Sequence, residues 1–119
     1  MENIVIKEDT FKGHEMISLG RVKYFSIRKE TLQEMIPLLE KALKQWDSFS
    51  KNDMIDEVPK NALEKYVLSM WELKGELCLS IWVFYKDKNL EWKPGNRGIH
   101  LTRSDIETIL EKHKEETDD

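Results

Sequence analysis

Apolar and polar residues alternate with a period of two in several short stretches of this chain, and the pattern switches to a helical period in two others. Residues 3–11 and 14–19 carry strand patterns on either side of Lys12-Gly13, where glycine supplies the backbone angle that a tight turn needs. A third short strand follows at 24–27. Thr31-Leu32-Gln33-Glu34 then has the form of a capping box and predicts a helix running to Trp46. Leu32, Met35, Ile36, Leu39, Ala42, Leu43 and Trp46 fall on one stripe of that helix, so this face is expected to pack on a sheet. Pro37 lies beyond the first turn and predicts a kink.

Residues 47–61 turn polar and acidic and read as a connection. Beyond them the strand pattern returns at 66–73 and 76–86, separated by Lys74-Gly75, with a further turn at 87–89. In the long stretch 76–86, Leu77, Leu79, Ile81, Val83 and Tyr85 point one way, and Cys78, Ser80, Trp82 and Phe84 point the other. Lys93-Pro94-Gly95-Asn96 fits a type II turn, which makes 98–101 a separate strand. Thr102 is placed to cap a last helix carrying Ile106, Ile109, Leu110 and His113 on one stripe.

The two halves match. Residues 11–19 (FKGHEMISL) fall on 73–81 (LKGELCLSI) without a gap, and Phe25, Ile27, Leu32 and Ile36 fall on Ile99, Leu101, Ile106 and Leu110. The pattern therefore predicts one domain over 1–119, made of a shortened repeat at 1–46, a linker at 47–61, a full repeat at 62–114 and an acidic tail at 115–119. On this reading the first copy lacks an extra hairpin containing the Lys-Pro-Gly turn. The expected fold is α+β: two sheet-plus-helix repeats form a pseudo-twofold intramolecular dimer, with curved antiparallel sheets and helices on one face.

Composition narrows the setting. The 119 residues suit one core, and a single cysteine, Cys78, allows no internal disulfide. The N-terminal run is too charged for a secretory leader and no apolar run approaches the roughly eighteen residues that span a bilayer, so a cytoplasmic protein without a membrane role is expected, nucleoid-associated if bacterial or phage. The formal net charge of −4 weighs against strong duplex binding, although it averages over local basic clusters. One such cluster comprises Lys86, Lys88, Lys93, Arg97 and Arg103 around Trp92. A second comprises Lys12, Arg21, Lys23, Arg28 and Lys29 around Tyr24 and Phe25.

The run 65–102, KYVLSMWELKGELCLSIWVFYKDKNLEWKPGNRGIHLT, resembles the core of the transcriptional positive cofactor 4 family of single-stranded-DNA-binding coactivators. Lys74-Gly75, Lys93-Pro94-Gly95, Arg97-Gly98-Ile99 and Leu101 carry the resemblance. It implies four strands followed by a helix, and a dimer whose sheets hold unwound DNA. The internal duplication is similar to the tandem arrangement of Pur-alpha, with Whirly proteins as related sheet-helix binders. The resemblance also implies that Lys74, Lys93 and Arg97 lie beside nucleic acid. The chain departs from the family where Trp71 and Trp82 stand at positions that are typically Arg, where Glu76 replaces a basic residue and where Leu73 replaces an aromatic one.

These readings converge on a site for single-stranded DNA or RNA of weak sequence preference, in transcription regulation or DNA metabolism. Lys74, Lys93, Arg97, Lys86, Lys88 and Lys12 are expected to neutralise phosphates, while Trp71, Trp82, Phe84 and Trp92 offer rings for base stacking. The alternative is a protein-interaction or dimerisation module of the same fold, a homo-oligomer or a companion of transcription or replication proteins, in which Trp71, Trp82 and Phe84 form a dry interface. Cys78 reads as a packed hydrophobe. His14, His100 and His113 lack metal-ligand spacing, no nucleophile or acid pair stands out, and no phosphate loop is present, so neither an enzyme nor a cofactor, metal or small-molecule substrate is expected. The acidic tail is expected to compete with nucleic acid for the basic groove.

Overall fold

Lys12-Gly13 and Lys74-Gly75 close two hairpins with the same backbone, φ being 51° and 80° in the first pair and 51° and 82° in the second. Positive φ at both central residues of a two-residue loop matches the right-handed twist of the strands it joins. Around these turns the computed structural model, which describes residues 4–117, builds two antiparallel sheets. The first contains β1 (Val5–Phe11), β2 (His14–Gly20) and β3 (Tyr24–Arg28) in chain order, followed by α1 (Lys29–Lys44). The second contains β4 (Met54–Asn61), β5 (Glu64–Leu73), β6 (Glu76–Lys86) and β7 (Trp92–Leu101), again in chain order, followed by α2 (Arg103–Thr117). The fold is α+β, as the two hydrophobic periods require.

Alternation decides the buried faces. Ile17, Leu19, Phe25 and Ile27 of the first sheet join Leu68, Met70, Leu79, Ile81 and Leu101 of the second in one core, sealed by Met35, Leu39 and Ala42 of α1 and by Ile106 and Ile109 of α2. Phe25 meets Tyr66 edge to face, with centroids 6.2 Å apart. The helices also cross between units. Helix α1 packs on β4 of the second sheet, while α2 reaches the first, where Asp105 pairs with Arg21 and Lys29 stands 3.6 Å from Glu8 and 3.8 Å from Glu116. Among the described residues no helix is long and apolar enough to cross a membrane.

Helix α2 starts as its sequence predicts. The Asp105 amide donates to Thr102 Oγ1 (3.1 Å) and the Thr102 amide donates to Asp105 Oδ2 (3.0 Å), so two orphan donors are satisfied reciprocally. Helix α1 does not. It begins at Lys29, with Arg28 at the N-cap and no side-chain cap, because ladder pairing of Arg28 with Met16 leads the chain straight into the helix before Thr31 is reached. It continues as one helix through Pro37, whose exposed position is where a lost backbone bond costs least.

The segment expected to be a linker is structured. Trp46–Ser48 form a short 3-10 turn and Met54–Asn61 form β4. Strand β4 is an edge strand: Val58 faces the core while Asp56, Glu57, Pro59 and Lys60 face water, and an edge tolerates both charge and proline. The three-stranded sheet has no counterpart of this strand, and the hairpin expected around the Lys-Pro-Gly turn is not formed. The type II turn at 93–96 is absent too. Gly98 pairs with Trp82 and Pro94 with Phe84, so Gly95, Asn96 and Arg97 bulge out opposite Val83 within the continuous strand β7. The chain reverses earlier, where Asp87 Oδ1 accepts the amides of Asn89 (2.8 Å) and Glu91 (3.1 Å) and Leu90 takes φ of 61°. Glu115 and Glu116, expected in an acidic tail, belong to α2; Asp118 and Asp119 lie outside the described residues.

Candidate nucleic-acid interface

The face of the second sheet that turns away from the helices is a layer of rings set opposite small residues. Trp71 pairs with Cys78, Trp82 with Val67 on one side and Gly98 on the other, and His100 with Ser80. Val67, Cys78 and Ser80, beside these rings, are consequently buried. Burial pushes the Cys78 thiol up, which keeps it protonated and unreactive.

Trp82 is fixed on three sides. Its indole stacks on His100 with centroids 5.5 Å apart and planes 27° apart, its Nε1 donates to the Gly95 carbonyl (2.8 Å), and its ring lies on the Gly98 backbone. His100 Nδ1 is in turn 2.6 Å from Ser80 Oγ. Burial pushes the His100 pKa below its ordinary value, so the ring is neutral at physiological pH.

Cations stand over the outer rings of this face. Over Trp92 stand Lys65, whose Nζ is 4.4 Å from the ring centre, and Lys86, at 5.2 Å. Lys51 is 5.8 Å from Trp71. Trp71 and Trp92 are 41% and 36% exposed, while Trp82 and Phe84 are half-buried between them. Glu57 holds Lys65 Nζ at 2.7 Å. Such cation–π pairs gain strength where water is excluded.

The structure thus brings together Trp71, Trp82, Phe84, Lys86 and Trp92 from the expected set. The others are spread around these five. Lys74 sits in the β5–β6 turn, the length of β5 away from Trp92, about 30 Å at ~3.3 Å per residue. Lys88 lies in the β6–β7 turn, and Lys93 pairs with Glu91 at 3.9 Å. Arg97 stands in the bulge, lining a groove with Glu64 and Val83, which belong to the core-facing side of the sheet. Lys12 is in the first hairpin turn, 5.3 Å from the Phe11 ring centre. Lys74 thus lies beyond the Trp71 end of the face, and Lys93 beside Trp92 at its other end.

Two contributors escape a reading of the sequence. Lys65 stands opposite Phe84 in the β5–β6 register and so shares its face, a relation visible only once the hairpin register is known. Lys51 reaches Trp71 through tertiary folding alone. Among the described residues no cluster of three His, Cys, Asp or Glu is arranged to hold a metal ion.

The first sheet repeats part of this plan. Ser18 and Ser26, the counterparts of Ser80 and His100 in the match of the two halves, pair across β2 and β3 with hydroxyls 2.9 Å apart, and Lys7 stands 4.3 Å from the Tyr24 ring centre.

No protein-family model and no curated protein matches the sequence. Among solved structures, the crystal structure of a PC4 homolog from Burkholderia pseudomallei is similar, with a TM-score of 0.48 and 14% identity over 58% of this chain and 93% of that one.

Proposed function

We propose that this chain binds single-stranded nucleic acid on the helix-free face of its four-stranded sheet, DNA more readily than RNA and with weak sequence preference. The observation that carries this is Trp92, held under Lys65 and Lys86 on a face it shares with Trp71, Trp82 and Phe84. Rings stack on bases of any identity while ammonium groups neutralise the phosphates between them. The face is local, so the overall charge of −4 does not oppose it.

The same proposal takes the chain as a covalent tandem of two sheet-helix units in the manner of Pur-alpha, serving transcription regulation or DNA metabolism in the cytoplasm, on a nucleoid if bacterial or phage. Support for the duplication comes from the two Lys-Gly turns of equal backbone and from the matched Ser18–Ser26 and Ser80–His100 pairs. No catalytic role is assigned.

A labelled oligothymidine of about twenty nucleotides, titrated by fluorescence anisotropy at 50 and 200 mM salt, tests the proposal. With Lys51, Lys65 and Lys86 each on a phosphate, the logarithmic salt slope is about −2, so affinity should fall about 20-fold across that range. Lys65→Ala/Lys86→Ala should flatten the slope to about −0.7. Absence of binding at 50 mM salt would sink the proposal and favour a protein-interaction role for the exposed rings.

A further inference from the structure

A groove of about 480 Å³ opens beside the β7 bulge, on the side of the sheet opposite the aromatic layer. Val83 and Tyr85 line it from β6, Glu64 from β5, and Gly95, Asn96 and Arg97 from the bulge. Its chemistry is polarised. Asn61 Nδ2 donates to Glu64 Oε1 (3.0 Å) and Lys60 stands 3.6 Å from the same oxygen. These neighbours hold the Glu64 carboxyl below the usual carboxylate range, although burial opposes them. Arg97 acts electrostatically on Glu64, yet the two lie farther apart than an ion pair. An acceptor-only carboxylate and a donor-only guanidinium thus flank one opening without neutralising each other, and the exposed ring of Tyr85 lies between β5 and β7 at the same place.

We infer that this groove takes a single guanine base, with Glu64 accepting from its N1–H and N2–H₂ edge, Arg97 donating to its O6, and Tyr85 supplying the stacking surface. Guanine fits because, with Oε1 engaged by Asn61 and Lys60, its two adjacent donors can converge on Oε2, while its acceptors match a guanidinium; thymine presents a single ring donor flanked by carbonyls that a carboxylate repels. The volume exceeds that of a purine ring system. Position supports the assignment as well. Strand β7 is the sheet edge, and Gly95 belongs to both sides: its carbonyl accepts from Trp82 on the aromatic face while its backbone lines the groove. A strand leaving the aromatic face past Trp92 has only this edge to round before a base enters the groove. The inference rests on the proposed single-strand binding for its biological setting, but not for the binding chemistry of the groove itself.

Two measurements test it separately from the parent reading. In the first, oligothymidine and the same oligonucleotide carrying single guanines at successive positions are titrated against the wild type, Glu64→Gln and Arg97→Ala. The guanine-containing strand should bind about tenfold tighter or more at its best position. Glu64→Gln should remove that advantage and leave the affinity for oligothymidine unchanged. In the second, the wild-type chain is titrated with guanosine and thymidine monophosphates while amide chemical shifts are followed. Guanosine monophosphate should move Gly95, Asn96 and Arg97, and thymidine monophosphate should not. If oligothymidine fails to bind but guanosine monophosphate moves those amides and Glu64→Gln abolishes the effect, the groove stands and the aromatic face falls. Equal affinity for the two strands, together with no guanosine-specific shifts, would overturn the inference whatever the aromatic face does.

Discussion

The indole of Trp82 lies on the backbone of Gly98 across the β6–β7 ladder: a Cβ at Gly98 would stand 2.5 Å from Cδ2 of Trp82 and 2.7 Å from the Ile81 carbonyl oxygen. In the first sheet the same cross-strand position reverses the partners, with Gly20 opposite Tyr24. A glycine facing a large ring lets that ring cover the ladder and, in the second sheet, lets it stack on His100. Gly98→Ala should displace the ring and destabilise the fold by about 1–3 kcal/mol, read by chemical denaturation. Trp82 emission should shift in the folded protein at the same time. An unchanged midpoint and spectrum would show that the ring is free to move.

Stability should depend on pH through His100. Its folded pKa lies below the ordinary value of 6.5 because the ring is buried, so the folded state holds fewer protons than the unfolded one near that value. The stabilisation is complete above about pH 6.5 and is lost as pH falls through the lower folded value. Denaturation midpoints measured between pH 7.5 and 5 should therefore decline, and His100→Gln should flatten the part of that decline that His100 causes. A variant with the wild-type slope would exclude His100 as its source.

The buried carboxylate of Asp105 serves both the cap of α2 and the ion pair with Arg21 of the first sheet, and it is only 3% exposed. Asp105→Ala removes both interactions and should cost about 2–4 kcal/mol, less than a fully buried pair because Arg21 is one-third exposed. Thr102→Ala, which removes only the hydroxyl half of the cap, should cost about 1 kcal/mol. Equal losses in the two variants would mean that the inter-unit pair contributes nothing.

Lys12 and Lys74 hold left-handed backbone in the first position of their turns, which asparagine adopts more readily than lysine. Lys12→Asn and Lys74→Asn should each raise stability by about 0.5 kcal/mol, additively because the two turns are separate.

Trp92→Ala should weaken oligothymidine binding by about 1–3 kcal/mol with the salt slope little changed, because it removes stacking and leaves the cations. Trp92→Phe should recover part of the loss. Anisotropy titrations at two salt concentrations separate this outcome from the loss of slope expected for the lysine variants.

The alternation of Leu77, Leu79, Ile81, Val83 and Tyr85 against Cys78, Ser80, Trp82 and Phe84 is a local property of an extended chain, and it determined both faces of β6 before any tertiary structure was known. The stripes of α1 and α2 and the two Lys-Gly turns are equally local, since side-chain direction and backbone φ depend on near neighbours. Strand β4 was not legible, because an edge strand needs few apolar residues and tolerates the proline and charges that mark a loop. Lys93-Pro94-Gly95-Asn96 misled in the opposite direction: its Pro94-Gly95 pair permits a turn, but pairing of Trp92 with Lys86 and of Gly98 with Trp82 holds both ends in one strand and leaves a bulge between them. The candidate site divides along the same line. Its rings were visible as one face of β6, whereas the cations that stand over them, Lys51 and Lys65, and the separation of Lys74 from Arg97 depend on register and on which strands become neighbours. Those are distances through space between residues far apart in the chain, and only the folded sheet defines them.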